Sequence, residues 1–119
     1  MNLKFSDDLL AILEDISDGV VSLDREGKYL SINKAAAKIF RGLNRDPQSI
    51  NGKRVWEVFP EAKDTIVERE IKRALKDQTS IQYEFLYPPN QRWYETKGYP
   101  SPQGVILVFR DITDRKASA

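Results

Sequence analysis

Two patterns in this sequence contain residue types that carry out catalysis in other proteins. The first is Ser31-Ile-Asn-Lys34, which matches the S-x-x-K pattern of penicillin-recognising enzymes, where the serine is the nucleophile. The second is a set of three glutamates, Glu57, Glu61 and Glu84, which have the chemistry of a general acid and base. The serine pattern lacks its partner motifs, and nothing in the sequence brings the glutamates together. We therefore interpret this segment as a strand end followed by a helix cap, with Asn33 as the candidate cap. We predict no catalytic residues and no enzyme activity.

The chain lacks two residue types on which much site chemistry depends, because it has no histidine and no cysteine. Thiolate and imidazole are the usual ligands of a tetrahedral zinc ion. The same groups are required for cysteine-nucleophile and Ser-His-Asp catalysis. We therefore expect no metal site, and no phosphate-accepting histidine within this sequence.

Length and composition indicate a single globular domain. The chain has 119 residues, of which 40% are hydrophobic and 31% charged, and its formal net charge is +1. A balanced charge gives no electrostatic footprint for nucleic acid. No apolar stretch approaches the roughly 18 residues that a transmembrane helix needs, and the N-terminus lacks the features of a signal peptide. We expect a cytoplasmic chain that does not bind nucleic acid or insert into a membrane.

The N-terminal part of the chain has the pattern of an amphipathic helix. Ser6 is a suitable N-cap for this helix. Apolar side chains then recur at i, i+3, i+4 and i+7, and they are Leu9, Ile12, Leu13 and Ile16. We expect this stripe to be an interface, packed either on the domain's own sheet or on a second copy of the chain.

The rest of the chain changes from strands to helices and back to strands. A hairpin is predicted at 20–33, with Gly27 in its turn. Strong helix formers and helical spacing predict helices at 34–40, 55–59 and 61–76. Alternating or continuous apolar residues predict strands at 81–87, 92–99 and 105–109. This order of elements indicates an α+β domain with an antiparallel sheet.

Four segments of the chain resemble the PAS domain, a sensor and interaction module of many signalling proteins. In sequence order they are DGVVSLD with YLSIN (18–24 and 29–33), GKRVWEVFP (52–60), RWYE with YPSP (92–95 and 99–102) and FRDITDRK (109–116). The Asp-Ile-Thr triplet is the most specific, because the family often ends its final strand in this way. The resemblance implies a five-stranded antiparallel sheet with helices on one face around a pocket. It implies a PAS domain at 6–116, with 1–5 and 117–119 as flanking tails.

The residues restrict what such a pocket holds. Haem in the best-known members of this family is bound through histidine, and light-driven flavin adducts and covalent coumarate chromophores need a cysteine, so we expect none of these groups. A non-covalent small ligand of unknown identity remains open, and so does a pocket filled by the domain's own side chains. The candidate pocket residues are Trp56, Phe59, Tyr83 and Phe85.

The end of the last predicted strand contains the residues that we expect to couple the domain to its output. Asp111 and Thr113 have short polar side chains that can bond to nearby backbone or to a basic residue, which fixes the direction in which the chain leaves the sheet. The candidate basic partners are Arg92, Arg110 and Arg25. A simple strand-terminating turn is the alternative interpretation.

We therefore predict a sensory domain that dimerises and signals, in a two-component system, to an output domain such as a histidine kinase. The expected partners are a second copy of the chain and the output domain of a larger signalling protein. The alternative function is a small-molecule carrier or an enzyme built on a similar α+β cup.

Overall fold

The computed structural model describes residues 17–118, which form an α+β domain around one antiparallel sheet. The sheet order is β2-β1-β5-β4-β3. In chain order the strands are β1 (Gly19–Asp24), β2 (Tyr29–Ile32), β3 (Ile81–Tyr87), β4 (Arg92–Ser101) and β5 (Gly104–Asp111). The α-helices of this part of the chain are α1 (Lys34–Gly42), α2 (Val55–Val58), α3 (Ile66–Asp77) and α4 (Thr113–Ser118). The predicted five-stranded fold is confirmed, whereas the predicted N-terminal helix with Leu9, Ile12, Leu13 and Ile16 lies outside the described residues.

The first hairpin and α1 follow from one turn residue and one capping residue. Gly27 has a φ of 80° in the turn between β1 and β2, a conformation that glycine adopts at little cost. Asn33 caps α1, because its Oδ1 accepts a hydrogen bond from the backbone N–H of Ala36 at 2.9 Å. The same oxygen accepts from the backbone N–H of Val20, also at 2.9 Å. One side chain therefore both starts the helix and attaches it to the first strand.

The longest helix, α3, starts later than its apolar spacing predicts. Pro60–Ala62 is a separate 3-10 turn, and Asp64 has a φ of 64°, which is incompatible with a helix interior. Thr65 then caps α3, because its hydroxyl accepts a hydrogen bond from the backbone N–H of Val67 at 3.1 Å. The predicted start at Glu61 is therefore wrong, because local turn geometry and a cap decide the boundary.

Strand β4 continues through Pro100, beyond its predicted end. Its pairing with β3 stops at Gly98 opposite Ile81, whereas its pairing with β5 continues to Ser101 opposite Gly104. At Pro100 the strand therefore has a neighbour on one side only. A proline lacks the backbone N–H, and such a position tolerates the loss because no ladder is interrupted on the open side.

The hydrophobic core lies between the sheet and helices α1 to α3. Strand residues that face this layer alternate with residues on the opposite, outer face, as the period of a strand requires. On β5, for example, Leu107 is buried in the core cluster, while its neighbour Ile106 is only partly buried. Within residues 17–118, no helix is long and apolar enough to cross a membrane.

Candidate functional site

An apolar cavity of about 120 Å³ lies within the core layer. All five strands contribute to its wall, together with residues of α1, α2 and α3 and of the connections between these helices. Among residues 17–118, the side chains that line it are apolar or hydroxyl-bearing, and none is charged. The cavity is therefore suited to a neutral guest rather than an ionic one.

Three of the four predicted pocket residues line this cavity, and they are Phe59, Tyr83 and Phe85. Trp56 lines a separate surface groove instead, where the Nζ of Lys72 lies 5.1 Å from the centroid of its ring. Successive residues of a helix point about 100° apart. Because Val55 of α2 points into the cavity, its neighbour Trp56 points to a different side of the helix.

Sequence reasoning missed four hydroxyl-bearing residues of the wall, which are Tyr29, Tyr87, Tyr94 and Thr96. Thr96 lies directly opposite Tyr83 in the register of β3 and β4. Period-two alternation along β3 indicates that Tyr83 points inward, but the residue that faces it across the ladder depends on a register that the alternation does not contain.

Burial changes the acid–base behaviour of the phenols in the wall. Burial raises the pKa of Tyr83 to about 12, and its hydrogen bond with Thr96 acts in the opposite direction. Burial also raises the pKa of Tyr29, and the nearby Tyr83 adds to this effect. Both phenols therefore stay neutral at physiological pH, where each can donate and accept a hydrogen bond.

A neutralised ion pair borders the part of the cavity that Phe59 and Tyr87 line. The Nη2 of Arg45 donates to Oε1 of Glu61 at 2.9 Å, and the hydroxyl of Tyr87 donates to the same oxygen. Arg45 also donates to two backbone carbonyls, and its guanidinium lies 5.1 Å from the centroid of the Phe59 ring. The pair is held by its own partners, so it closes the wall without presenting a free charge to the cavity.

The three glutamates that the sequence offered for acid–base chemistry are not brought together. Glu57 accepts a hydrogen bond from the backbone N–H of Arg54 at the start of α2, at 3.0 Å. Glu61 binds Arg45, and Glu84 binds the C-terminal helix α4. Each carboxylate therefore has a separate structural partner.

The Asp111 and Thr113 side chains form a hydrogen-bonded joint where the chain leaves β5. Asp111 accepts hydrogen bonds from Nε of Arg92 and, at 2.9 Å, from the backbone N–H of Thr113. The Thr113 hydroxyl in turn accepts from the backbone N–H of Trp93 at 2.9 Å, and the N–H of Ile112 donates to the Trp93 carbonyl at 2.8 Å. These bonds attach the end of β5 to the start of β4.

Of the three candidate partners of Asp111, the structure selects Arg92. Arg110 pairs with Glu95 at 3.3 Å, and Arg25 donates to the backbone carbonyl of Pro102 at 3.2 Å. Partial burial acts to raise the pKa of Asp111, but the hydrogen bonds from Arg92 and Thr113 outweigh it and lower this pKa.

Four charged residues hold α4 against the outer face of the sheet, and we call them the exit clamp: Glu84, Glu95, Arg115 and Lys116. The Nη2 of Arg115 lies 2.8 Å from Glu84 and 3.5 Å from Glu95, while the Nζ of Lys116 lies 2.6 Å from Glu84. Lys116 also lies 4.5 Å from the centroid of the Trp93 ring. The hydrogen bond from Lys116 lowers the pKa of Glu84.

Strands β3 and β4 therefore contribute residues both to the cavity wall and to the exit clamp. Tyr83 and Phe85 line the cavity, and Glu84 between them belongs to the exit clamp. In the same way, Thr96 lines the cavity and its neighbour Glu95 pairs with Arg115. Adjacent residues of two strands connect the cavity wall to the C-terminal helix.

Comparison with known proteins decides the family. The family model described as the PAS fold matches residues 13–117. The chain belongs to the PAS-fold family. No curated protein sequence matches it significantly. PAS domains are sensory modules rather than enzymes, and those of sensor kinases associate with output domains and often dimerise.

Solved structures of other proteins share the architecture. A PAS domain from Colwellia psychrerythraea superposes with a TM-score of 0.70 at 19% identity, covering 91% of this chain and 97% of that one. A domain of an HTR-like protein from Haloarcula marismortui gives 0.65 at 29% identity, covering 82% and 100%. The photoactive yellow protein domain of a sensor histidine kinase from Rhodospirillum centenum gives 0.64 at 15% identity, covering 85% and 91%. The structures below 25% identity support the fold alone.

Proposed function

We propose that this PAS domain responds to the state of its cavity and passes the response through β3 and β4 to α4, and from there to an output domain such as a histidine kinase. One observation carries the proposal: neighbouring residues of these two strands line the cavity on one face and hold α4 on the other. Glu84 lies between Tyr83 and Phe85, so a displacement of the cavity wall moves a residue of the exit clamp.

The physical basis of the coupling is close packing. Protein interiors are packed about as densely as organic crystals, so a changed side chain or an added guest displaces the strand that carries it. The exit clamp lies on the same backbone and is partly exposed, with half of the Arg115 side chain accessible, so its ion pairs can exchange with water. A guest shifts the position of α4 to the extent that it binds one arrangement better than the other.

A pair of cavity variants tests this route. Phe85→Leu changes the wall on β3, whereas Ile39→Val changes the same cavity from α1. We expect Phe85→Leu to shift the backbone amide NMR signals of residues 111–118 and to speed hydrogen exchange at Trp93, whose N–H is bonded to Thr113. The Ile39→Val variant should leave both unchanged. Equal effects of the two variants, or none from Phe85→Leu, would overturn the route through β3 and β4.

We propose further that the domain is a homodimer whose interface includes the stripe Leu9, Ile12, Leu13 and Ile16. What supports this is the helical spacing of these apolar residues, together with the frequent dimerisation of PAS domains in sensor kinases. Replacing Ile12 and Ile16 by Asp should weaken self-association in sedimentation velocity experiments while leaving the circular dichroism spectrum unchanged. An unchanged dimer affinity would remove this helix from the interface. The domain limits of 6–116 and the cytoplasmic location also remain predictions.

A further inference from the structure

We infer that the cavity takes an uncharged molecule of about one ring in size, mostly apolar and carrying one hydrogen-bonding group. The inference rests on the sensory function proposed above and names the class of molecule that the cavity accepts. Three independent properties of the wall support it, namely its volume, its lack of charge and the position of its hydroxyl groups.

The volume limits the guest to a single ring. The cavity measures about 120 Å³. An engineered apolar cavity of about 150 Å³ binds benzene, whereas pockets for drug-sized ligands measure about 300–1,000 Å³. A multi-ring chromophore would require the helices to move away from the sheet. A benzene-sized ring or a short aliphatic chain is therefore the guest that this arrangement accommodates.

The electrostatics of the wall exclude an ion. Within residues 17–118 no charged side chain lines the cavity, and the adjacent Arg45 is neutralised by Glu61. An ionised guest would lose its hydration without gaining a counter-ion, which is far more costly than burying a neutral polar group. The raised pKa of Tyr83 has the same origin, because burial there disfavours charge.

The hydroxyl groups of the wall provide a place for one polar substituent. Tyr83 and Thr96 are cross-strand partners, and Tyr29 lies close enough to Tyr83 for the two phenols to interact. The hydroxyls of the other two tyrosines in the wall bond outward, that of Tyr87 to Glu61 and that of Tyr94 to Asn90. A guest's polar group should therefore point toward Tyr29, Tyr83 and Thr96, and its apolar part toward the helices.

Three probes of related shape test the inference by NMR titration of the isotope-labelled chain. Benzyl alcohol is neutral and has one ring, benzoate is its charged counterpart, and 1-naphthalenemethanol is its two-ring counterpart. We expect benzyl alcohol to shift cavity signals saturably and the other two to bind at least tenfold more weakly. Thr96→Val keeps the side-chain shape and removes the hydroxyl, so it should lower the affinity for benzyl alcohol about fivefold to tenfold. Thr79→Val, outside the cavity wall, should leave the affinity unchanged.

Two results would overturn the inference: benzoate or the two-ring alcohol binding as tightly as benzyl alcohol, or the absence of saturable shifts with benzyl alcohol at cavity residues. Failure of the proposed function looks different. If benzyl alcohol binds in the cavity while signals of residues 111–118 stay unchanged, the ligand class stands and the coupling fails. If Phe85→Leu moves those signals and none of the probes binds, the coupling stands and the ligand class is wrong.

Discussion

The two faces of the β3–β4 ladder are built from opposite kinds of interaction. On the inner face, Tyr83 and Thr96 belong to a neutral, close-packed wall around the cavity. Glu84 and Glu95 are the adjacent residues along these strands and lie on the outer face. There they form ion pairs with the Arg115 side chain of α4. The inner face is therefore stabilised by the close packing of neutral side chains, whereas the outer face depends on ion pairs that are partly accessible to water.

The difference is also visible in the direction of the pKa shifts. Burial raises the pKa of Tyr83 on the inner face. On the outer face, a hydrogen bond from Lys116 lowers the pKa of Glu84. A change of volume should therefore act on the inner face, while pH below neutrality and salt should act on the outer face. The coupling proposed above uses this difference, with a neutral guest acting on the inner face and the ion pairs of α4 changing on the outer face.

The largest expected effect comes from truncating one residue on each face of β5. Leu107 lines the cavity and is 5% exposed, whereas its neighbour Ile106 is only partly buried. We expect Leu107→Ala to lower the free energy of unfolding by about 2–5 kcal/mol, because it loses buried apolar contacts and leaves a void. Ile106→Ala should cost about 1 kcal/mol, because less apolar surface returns to water. Urea unfolding measures both, and equal losses would contradict the contrast between the faces.

Alkaline pH should destabilise the inner face through Tyr83. Burial raises the pKa of this phenol from its ordinary value of 10.0 to about 12 in the folded chain. Because the folded pKa is raised, the stabilisation is complete below pH 10 and is lost as the pH rises toward 12. One such group contributes a loss on the order of 1 kcal/mol per pH unit in that window. Tyr83→Phe should remove this share of the slope in urea unfolding between pH 10 and pH 12.

A matched control for the alkaline experiment is Tyr99→Phe, because Tyr99 is 46% exposed. This variant should keep the wild-type loss of stability with rising pH. If Tyr83→Phe and Tyr99→Phe give the same slope, the burial of Tyr83 is not the cause of the alkaline response, and the inner face is less distinct than the structure implies.

The smallest expected effect is at the exit joint in acid. The pKa of Asp111 is lowered from its ordinary value of 3.8, so its pairing with Arg92 is present above that pH and is lost as the pH falls through the folded pKa. Stability should therefore decline below about pH 4. Asp111→Asn should reduce this decline, and 1 M NaCl should weaken the pairing in the wild type through screening.

Asp77→Asn on α3 is the control for the acid experiment, and it should leave the decline unchanged. The exchange rate of the Trp93 amide provides a local reading, because Thr113 accepts its hydrogen bond and neighbours Asp111. If that amide is as strongly protected in Asp111→Asn as in the wild-type protein, the Asp111–Arg92 pair does not hold the end of β5 against the start of β4.

Local features of the sequence predicted much of the fold. Gly27 in the hairpin turn, Asn33 as the cap of α1 and the period-two pattern of β3 are all observed. Each depends on interactions within a few residues, so a short stretch of sequence is enough to predict it. The start of α3 was harder to predict, because apolar spacing continues past the positive φ of Asp64 that interrupts the helix.

The candidate site was predictable in its residue types but only in part in its contacts. Phe59, Tyr83 and Phe85 line the cavity, whereas Trp56 does not. Trp56 follows Val55 on α2, and successive residues of a helix point in different directions. The ion pairs of Glu84 could not be predicted from the sequence either, because its partners Arg115 and Lys116 lie about thirty residues away in the chain.

Three features of this protein follow from the linear sequence alone: the order of its helices and strands, the lack of histidine and cysteine side chains for chemistry, and the Asp-Ile-Thr triplet at the end of the last strand. Capping, periodicity and composition are properties of short stretches of chain, which is why they need no coordinates. The folded chain was needed to establish that Arg92, rather than Arg110 or Arg25, holds Asp111, and that Thr96 faces Tyr83. Those choices depend on strand register and on packing between distant segments, and local preferences do not encode either.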